Sequence, residues 1–362
     1  MAKKIGIVTH YGVHNHGAQL QLYALLKILR SKGYSANALQ FKKDYRFMDS
    51  EAEKKYSVSL KSVPFYLKYF KTNGLKKTFF NIKKKQIFDS FRQMNNVLGE
   101  KYEDFDGDLI IIGSDEVFSF ETGVTDAFWG RNTKCKNITA YSASFGPTNL
   151  QEICDKGLED YVKQSVNNFI CASARDVNTK KILENLWNKT IPLTCDPVIL
   201  YGYKNEISAF QKTSQKYILL YSYDKNMNTA EEINMIRNIA QKLSLPIYSV
   251  GFYHSWCDKN FNASPLELLG WFKNAEYVVT DTFHGTVISL ISESDFATFI
   301  RGNSNKLVNL LSEYGLEKRI FTDADNCLNI LDSTIDYKTI NCQLENYRQK
   351  SFEYLDSLLS KL

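Results

Sequence analysis

The sequence predicts an α/β protein of two doubly wound domains. Three observations point there. With 362 residues the chain suffices for two domains of roughly 150 residues each, and 44% apolar content with 14% aromatics fills two cores. Short buried-strand runs end in Gly, Ser or Asp and lead into helical or loop sequence, an alternation that builds a parallel sheet covered on both faces. This series occurs twice, without repeating its sequence, on either side of the polar stretch from Gly202 to Gln215.

Lys4 to Thr9 reads as a short buried strand. "GAQLQLYALLKILRSKGY" follows as an amphipathic helix with Leu22, Leu25, Leu26 and Leu29 on one side, closed by Arg30, Lys32 and Gly33 as a left-handed cap. After a basic segment come "DLIIIGSD", "ITAYSASFG" and "NFICASARD" as strand runs. The second series consists of "KYILLYSY", the helical "TAEEINMIRNIAQKLS", "LPIYSVGFY", "AEYVVTDTF" and "FATFI". Asn341 to Leu362 carries Leu344, Tyr347, Phe352, Leu355, Leu358 and Leu359 among charges, as an amphipathic closing helix does. The expected domains are residues 1–205 with a basic helical insertion at 42–100, residues 206–335, and a closing helix at 336–362.

Composition removes several function classes. No charged-then-apolar-then-small leader is present, so secretion is not expected. No window approaches the roughly eighteen apolar residues of a membrane span. The seven cysteines are odd in number and match no zinc spacing; reduced thiols in a cytoplasm are expected. The net charge of +5 hides an asymmetry. Lys42 to Arg92 holds 14 Lys and Arg against 5 Asp and Glu, which leaves −4 for the remainder. Aromatics interleave with those lysines in "FYLKYF" and "TFFNIKKKQIF", a pattern of helices that rest on anionic lipid and equally of a solvated helical pair covering a domain. No nucleic-acid motif accompanies the charge.

Ligands of open parallel sheets collect beyond the carboxyl ends of strands, here the loops "THYGVHNHGA", "GSDEVF", "SFGP", "SARD", "SYDKN" and "TDTFHG", and with two domains face to face the site is expected in the cleft between them. His284 stands where "TDTFHG" turns from strand to helix, as an anion ligand or proton donor or as a group that fixes the turn by a hydrogen bond. His10, His14 and His16 with Asn15 open the first helix; contact with substrate and plain loop structure both fit, and a metal site has no supporting spacing. Arg175 in "SARD" can grip a carboxylate or phosphate with two hydrogen bonds or form a structural salt bridge. Asp115 in "GSDEVF" reads as a base towards a hydroxyl, and Ser114 as a helix cap.

Together, "NHGAQLQLYAL", "DLIIIGSDEVF", "SARD", "TCDPV" and "SPLELLGWFKNAEYVVTDTFHGTVISL" resemble, in order and spacing, the polysaccharide pyruvyl transferase family from about residue 5 to about 320. The resemblance implies two facing Rossmann-like domains of the glycosyltransferase-B type. It also implies transfer of pyruvate from phosphoenolpyruvate to a sugar as a cyclic ketal. Arg175 matches the family arginine expected to hold the donor, and His284 the histidine of its C-terminal signature. Three positions depart from the pattern: Thr282 stands where well-known members carry the arginine of Ser-x-Arg-Leu-His, and Glu116 and Phe118 stand where Gln and Trp are common. Arg301 and Arg319 remain to supply the lost charge.

The expected site therefore has His284 and Asp115 as catalytic groups, Arg175, Thr282, Gly285 and Arg301 towards the donor, and His14, Asn15, His16 and Asp281 towards the acceptor. No metal and no cofactor is expected, phosphoenolpyruvate being a co-substrate. The expected partners are that donor, a saccharide on a lipid-linked or nucleotide-linked precursor, and the inner face of the membrane through residues 42–92, in a cytoplasmic protein that binds no nucleic acid. Two other readings remain: a glycosyltransferase of the same architecture using a nucleotide sugar, and an inactive carbohydrate-binding or scaffold protein.

Overall fold

The computed structural model describes residues 2–44, 63–302 and 305–362, so residues 45–62 of the basic segment lie outside it. Two compact units divide the chain: Met1–Leu67, Arg92–Tyr201 and Asn346–Leu362 form the first, Lys68–Phe91 with Gly202–Glu345 the second. Part of the basic segment thus groups with the second unit.

In chain order the first series comprises β1 (Lys4–Val8), α1 (His16–Ser31), β2 (Ser35–Gln40), α2 (Val63–Met94), β3 (Leu98–Lys101), β4 (Leu109–Ile112), β5 (Ile138–Ala143), α3 (Leu150–Asp155), α4 (Glu159–Val166), β6 (Phe169–Ala174), α5 (Val177–Trp187) and α6 (Pro197–Tyr201). Its six strands form a parallel sheet in the order β3-β2-β1-β4-β5-β6. Every residue of β4 and β5 is buried, which is why these strands read as unbroken apolar or small runs. Helix α1 begins at His16, one residue before the sequence pattern suggests, because the Asn15 side chain caps it by accepting from the Ala18 N–H at 3.2 Å. It gives way at Lys32 to Gly33, whose φ of 88° suits glycine.

The second series comprises α7 (Lys204–Ala209), β7 (Ile218–Tyr221), α8 (Ala230–Leu243), β8 (Ile247–Val250), β9 (Lys259–Phe261), α9 (Pro265–Asn274), β10 (Tyr277–Thr280), α10 (Phe283–Ile291), β11 (Phe296–Phe299), α11 (Asn305–Glu313), β12 (Ile320–Phe321), α12 (Ala324–Asp332) and α13 (Tyr337–Leu359). The parallel sheet order β12-β11-β10-β7-β8-β9 is that of the first sheet, counted from β7 and viewed from the opposite edge. Both are therefore Rossmann-like sheets. Reciprocal capping boxes start α8 at Thr229 with Glu232 and α9 at Ser264 with Glu267, each satisfying otherwise orphaned N–H groups. The end of α13 returns to the first unit, where Ser351 Oγ accepts from the Cys195 N–H at 2.9 Å and Arg348 Nε donates to the Ile199 carbonyl at 2.6 Å. All seven cysteines are free thiols.

Candidate functional site

Strand order reverses between β1 and β4 in the first unit and between β7 and β10 in the second. Loops leaving the carboxyl ends on either side of such a reversal diverge and leave a polar crevice. Each unit places a cluster of ionisable side chains there.

In the first unit Asp115 follows β4 with a φ of 88°, a backbone conformation that costs a non-glycine residue about 1–3 kcal/mol. The loop is pinned by the Ser144 N–H, which donates to the Asp115 carbonyl at 2.9 Å. At the preceding Gly113, with φ 110°, a Cβ would strike the Tyr141 carbonyl oxygen. Phe118 is wholly buried against Trp129, Phe145 and Phe169, so the loop after Asp115 is anchored by aromatic packing.

The Arg175 guanidinium leaves the end of β6 with its Nη1 3.2 Å from Asp196 and 3.6 Å from Asp115. Arg175 and Asp196 side chains are 5% and 1% exposed, whereas Asp115 is 21% exposed, so Asp115 is the member of the trio that a ligand can reach. Burial opposes the Arg175 charge, but the carboxylates of Asp115, Asp196, Glu116 and Asp176 prevail and raise its pKa above the usual arginine value. The neighbouring Asp176 caps α5, accepting from the Thr179 N–H at 2.8 Å and the Ser144 hydroxyl at 2.7 Å. His10 packs edge-on to Phe128 with ring centroids 4.8 Å apart. Burial lowers its pKa while Asp115 pulls it up, and burial against Asp115 acts the same way on Lys43. Asp115 is thus a reachable carboxylate beside three basic groups.

The remaining first-unit residues expected in the site share the entry to α1. Asn15 is occupied as the cap, His16 is fully buried, and His14 is half-exposed.

In the second unit Thr282 caps α10: its hydroxyl accepts from the Gly285 N–H at 2.9 Å and its own N–H donates to Thr280 Oγ1 at 3.1 Å. A Cβ at Gly285 would collide with Thr280 Oγ1, so glycine lets the helix start close against the strand. Thr282 and Gly285 therefore spend polar groups on each other. His284, the second residue of α10, is half-exposed beside Phe283. Asp281 Oδ2 accepts from Arg301 Nε at 2.5 Å and from Asn226 Nδ2 at 2.8 Å, and Arg301 Nη2 lies 2.5 Å from Glu232.

Burial acts against Arg301, but Asp281 and Glu232 raise its pKa. Its side chain is 29% exposed. Arg319, by contrast, is buried and donates to the Ile330 and Ser333 carbonyls at 2.9 and 2.7 Å. Of the two arginines left to replace the one absent at Thr282, Arg301 is the one near "TDTFHG".

Several residues of these clusters were not singled out by the sequence. Asp196 lies in "TCDPV", which entered only through the family resemblance, and Asp224 in "SYDKN", one of the strand-end loops, but nothing marked the aspartates themselves. His254 follows β8 in "GFYHSW"; it is wholly buried, with Nε2 3.1 Å from the Ser222 carbonyl, and burial lowers its pKa against the pull of Asp224 and Asp281. Among the described residues no three His, Cys, Asp or Glu side chains are grouped to hold a metal ion.

Over residues 15–293 the sequence matches the family described as Polysaccharide pyruvyl transferase. No curated protein matches it. Among solved structures, the chain is similar to the S. aureus MnaA–UDP co-structure, with TM-score 0.52, 10% identity, and coverage of 100% of this chain and 98% of that one. A protein from Listeria monocytogenes described as a UDP-N-acetylglucosamine 2-epimerase gives TM-score 0.54, 10% identity and the same coverage. The glycosyltransferase SnogD from Streptomyces nogalater gives 0.45 at 8% identity, over 99% and 100% of the two chains. At such identities the likeness to the MnaA and Listeria structures is one of fold alone.

Proposed function

The chain belongs to the polysaccharide pyruvyl transferase family, and from that premise we propose that it transfers pyruvate from phosphoenolpyruvate to a saccharide of a surface polysaccharide or its precursor, forming a cyclic ketal. The observation that supports a reaction of this kind most strongly is Asp115: a reachable carboxylate at the reversal of the first sheet, fixed in place by Arg175.

The chemistry assigns roles as follows. His284 gives a proton to the methylene carbon of the enol phosphate, leaving positive charge on the adjacent carbon. One saccharide hydroxyl forms a C–O bond there and its proton passes to Asp115. The bond between that carbon and the bridging phosphate oxygen then breaks and releases phosphate, a second hydroxyl closes the ketal, and its proton leaves with the phosphate. Two hydroxyl protons are thus accounted for, one on Asp115 and one on phosphate, and before the next turnover Asp115 returns its proton to solvent while His284 takes one up. Arg301, although held by Asp281 and Glu232, is 29% exposed where Arg175 is 5%, and it is the arginine assigned to the donor's negative charge. Because Asp115 and Asp196 already meet the charge of Arg175, its role is to orient Asp115 rather than to hold the donor. His14, half-exposed at the entry to α1, is assigned to the acceptor.

A nucleotide-sugar glycosyltransferase is the second reading, favoured by Thr282, whose hydroxyl supplies no cation to the donor. Supplied with phosphoenolpyruvate and the saccharide fraction of its own cells, the chain is expected to release inorganic phosphate and leave acid-labile pyruvate on the saccharide in equal amounts. Glycosylation from a nucleotide sugar, with no pyruvate fixed, establishes the second reading instead.

The saccharide is proposed to be lipid-linked and met at the membrane. Among the described residues no helix is long and apolar enough to cross a bilayer, so contact has to be peripheral. Leu75, Phe79 and Ile82, spaced along one face of α2, are 67%, 67% and 48% exposed, and Lys76, Lys83 and Lys85 beside them are exposed. This is the composition of a helix lying on anionic lipid. Sedimentation with phosphatidylserine vesicles should therefore capture the chain, and Leu75→Ser with Phe79→Ser should release it. Equal capture of the variant removes α2 as the contact.

A further inference from the structure

Lys84 is an exception among the lysines of α2. The residue is 8% exposed, and its ammonium lies 4.2 Å from the centre of the Phe252 ring and 5.7 Å from that of Phe88. Among the described residues no carboxylate or carbonyl hydrogen-bonds or ion-pairs with it, although an ammonium carries three donors. Two helical turns back on the same face, Lys77 forms a 2.8 Å ion pair with Asp224, in the loop that leaves β7. Phe252 lies in the loop that leaves β8. Both lysines thus project from α2 to the carboxyl ends of β7 and β8, next to the reversal of the second sheet, where ligands of such sheets bind. Two further wholly buried atoms at these strand ends, Ser222 Oγ and His254 Nδ1, have no hydrogen-bond partner among the described residues.

Burying an ammonium without a hydrogen-bonded counter-charge is unfavourable, and a ring face and the more distant charge of Asp224 offset only part of the cost. A fold does not keep such a group for its own stability when Met or Leu would fill the space. An anion from solution would satisfy it.

We propose that Lys84, with Lys77 beside it, forms a phosphoryl-binding subsite at the carboxyl ends of β7 and β8, taking the phosphate of the donor. The identification of the ligand as phosphoenolpyruvate rests on the donor reading above; the subsite itself rests on the geometry. It supplies the positive charge that the Thr282 position lacks, from a helix rather than from the "TDTFHG" turn. Burial lowers the Lys84 pKa to about 8 and Asp224 pulls it back up, so the ammonium is charged near pH 7 and loses its proton as pH rises. Asp224 from the β7 loop and Lys77 from its own helix are the charged groups that act with it.

The test is calorimetric titration of the full chain and of Lys84→Met with phosphoenolpyruvate, inorganic phosphate and UDP, at pH 7.5 and 9.5, together with thermal unfolding of both proteins. The expected result is affinity for phosphoenolpyruvate and phosphate that falls at least about 10-fold in Lys84→Met, the loss that one charge-assisted contact carries. Wild-type affinity should also fall from pH 7.5 to 9.5, and Lys84→Met should unfold at the same temperature or higher. If phosphate or UDP binds in a Lys84-dependent way and phosphoenolpyruvate does not, the subsite stands and the donor reading fails. Equal phosphoenolpyruvate affinity in both proteins leaves the donor reading intact and overturns the role of Lys84. A lower unfolding temperature in Lys84→Met, or no binding of any probe by the wild type, also overturns it.

Discussion

Asp115→Asn is expected to lower turnover by about 10²–10⁴-fold, the range over which a positioned base accelerates proton transfer, while the chain stays folded. Asparagine keeps the shape of the side chain and still presents an oxygen to Arg175, but it cannot take the proton of an attacking hydroxyl. The Arg175 charge keeps Asp196 at 3.2 Å, so the substitution does not strand a buried cation. Loss should appear in kcat and leave the affinity for phosphoenolpyruvate unchanged, because Asp115 belongs to the acceptor step. Initial rates of acceptor-dependent phosphate release, with thermal unfolding as the control, measure it. A rate within a few-fold of wild type removes Asp115 as the base.

Arg175→Met should be the most destabilising single change in the first unit. Removing one partner of a buried ion pair costs about 3–5 kcal/mol because the other charge is left unpaired, and here Asp196 is 1% exposed. Asp115 is partly solvated, so its share of the loss is discounted. Asp196 also accepts from the Val198 N–H at 2.9 Å, which asparagine can still do. The double variant Arg175→Met with Asp196→Asn should thus recover part of the loss in urea unfolding, since neither charge is then stranded. No recovery, or a single variant as stable as wild type, contradicts the pairing. Activity separates the two roles of the arginine: if it orients Asp115, the double variant remains slow at saturating phosphoenolpyruvate, whereas a donor ligand would be rescued by raising the donor concentration.

The alternation of apolar runs with helical stretches was enough to read four strands of each sheet and their loops from sequence, whereas β2, β3, β9 and β12, in "SANALQ", "LGEK", "KNF" and "IF", are short or polar and carry no such run. What it left out depends on three-dimensional pairing. Arg175 was legible as a cation at a strand end, but whether it meets a ligand or a carboxylate depends on Asp196, a residue 21 positions away whose loop returns beside β6. Thr282 and Gly285 stood in the loop expected to bind the donor, yet their hydroxyl and N–H close the helix start. Lys84 sits in "IKKKQIF" between two other lysines, and composition cannot tell them apart. Helical phase does: Lys84, Phe88 and Phe91 fall at i, i+4 and i+7 on the buried face, so a lysine in register with two buried phenylalanines was the available signal.

The central claim is that the donor is phosphoenolpyruvate, and its most direct test is calorimetric titration of the purified wild-type chain with phosphoenolpyruvate and, separately, with a panel of UDP-sugars. Saturable binding of phosphoenolpyruvate with no heat from any UDP-sugar is the predicted result. Binding of a UDP-sugar, with none of phosphoenolpyruvate, would contradict the account and make this chain a family member that uses a different donor.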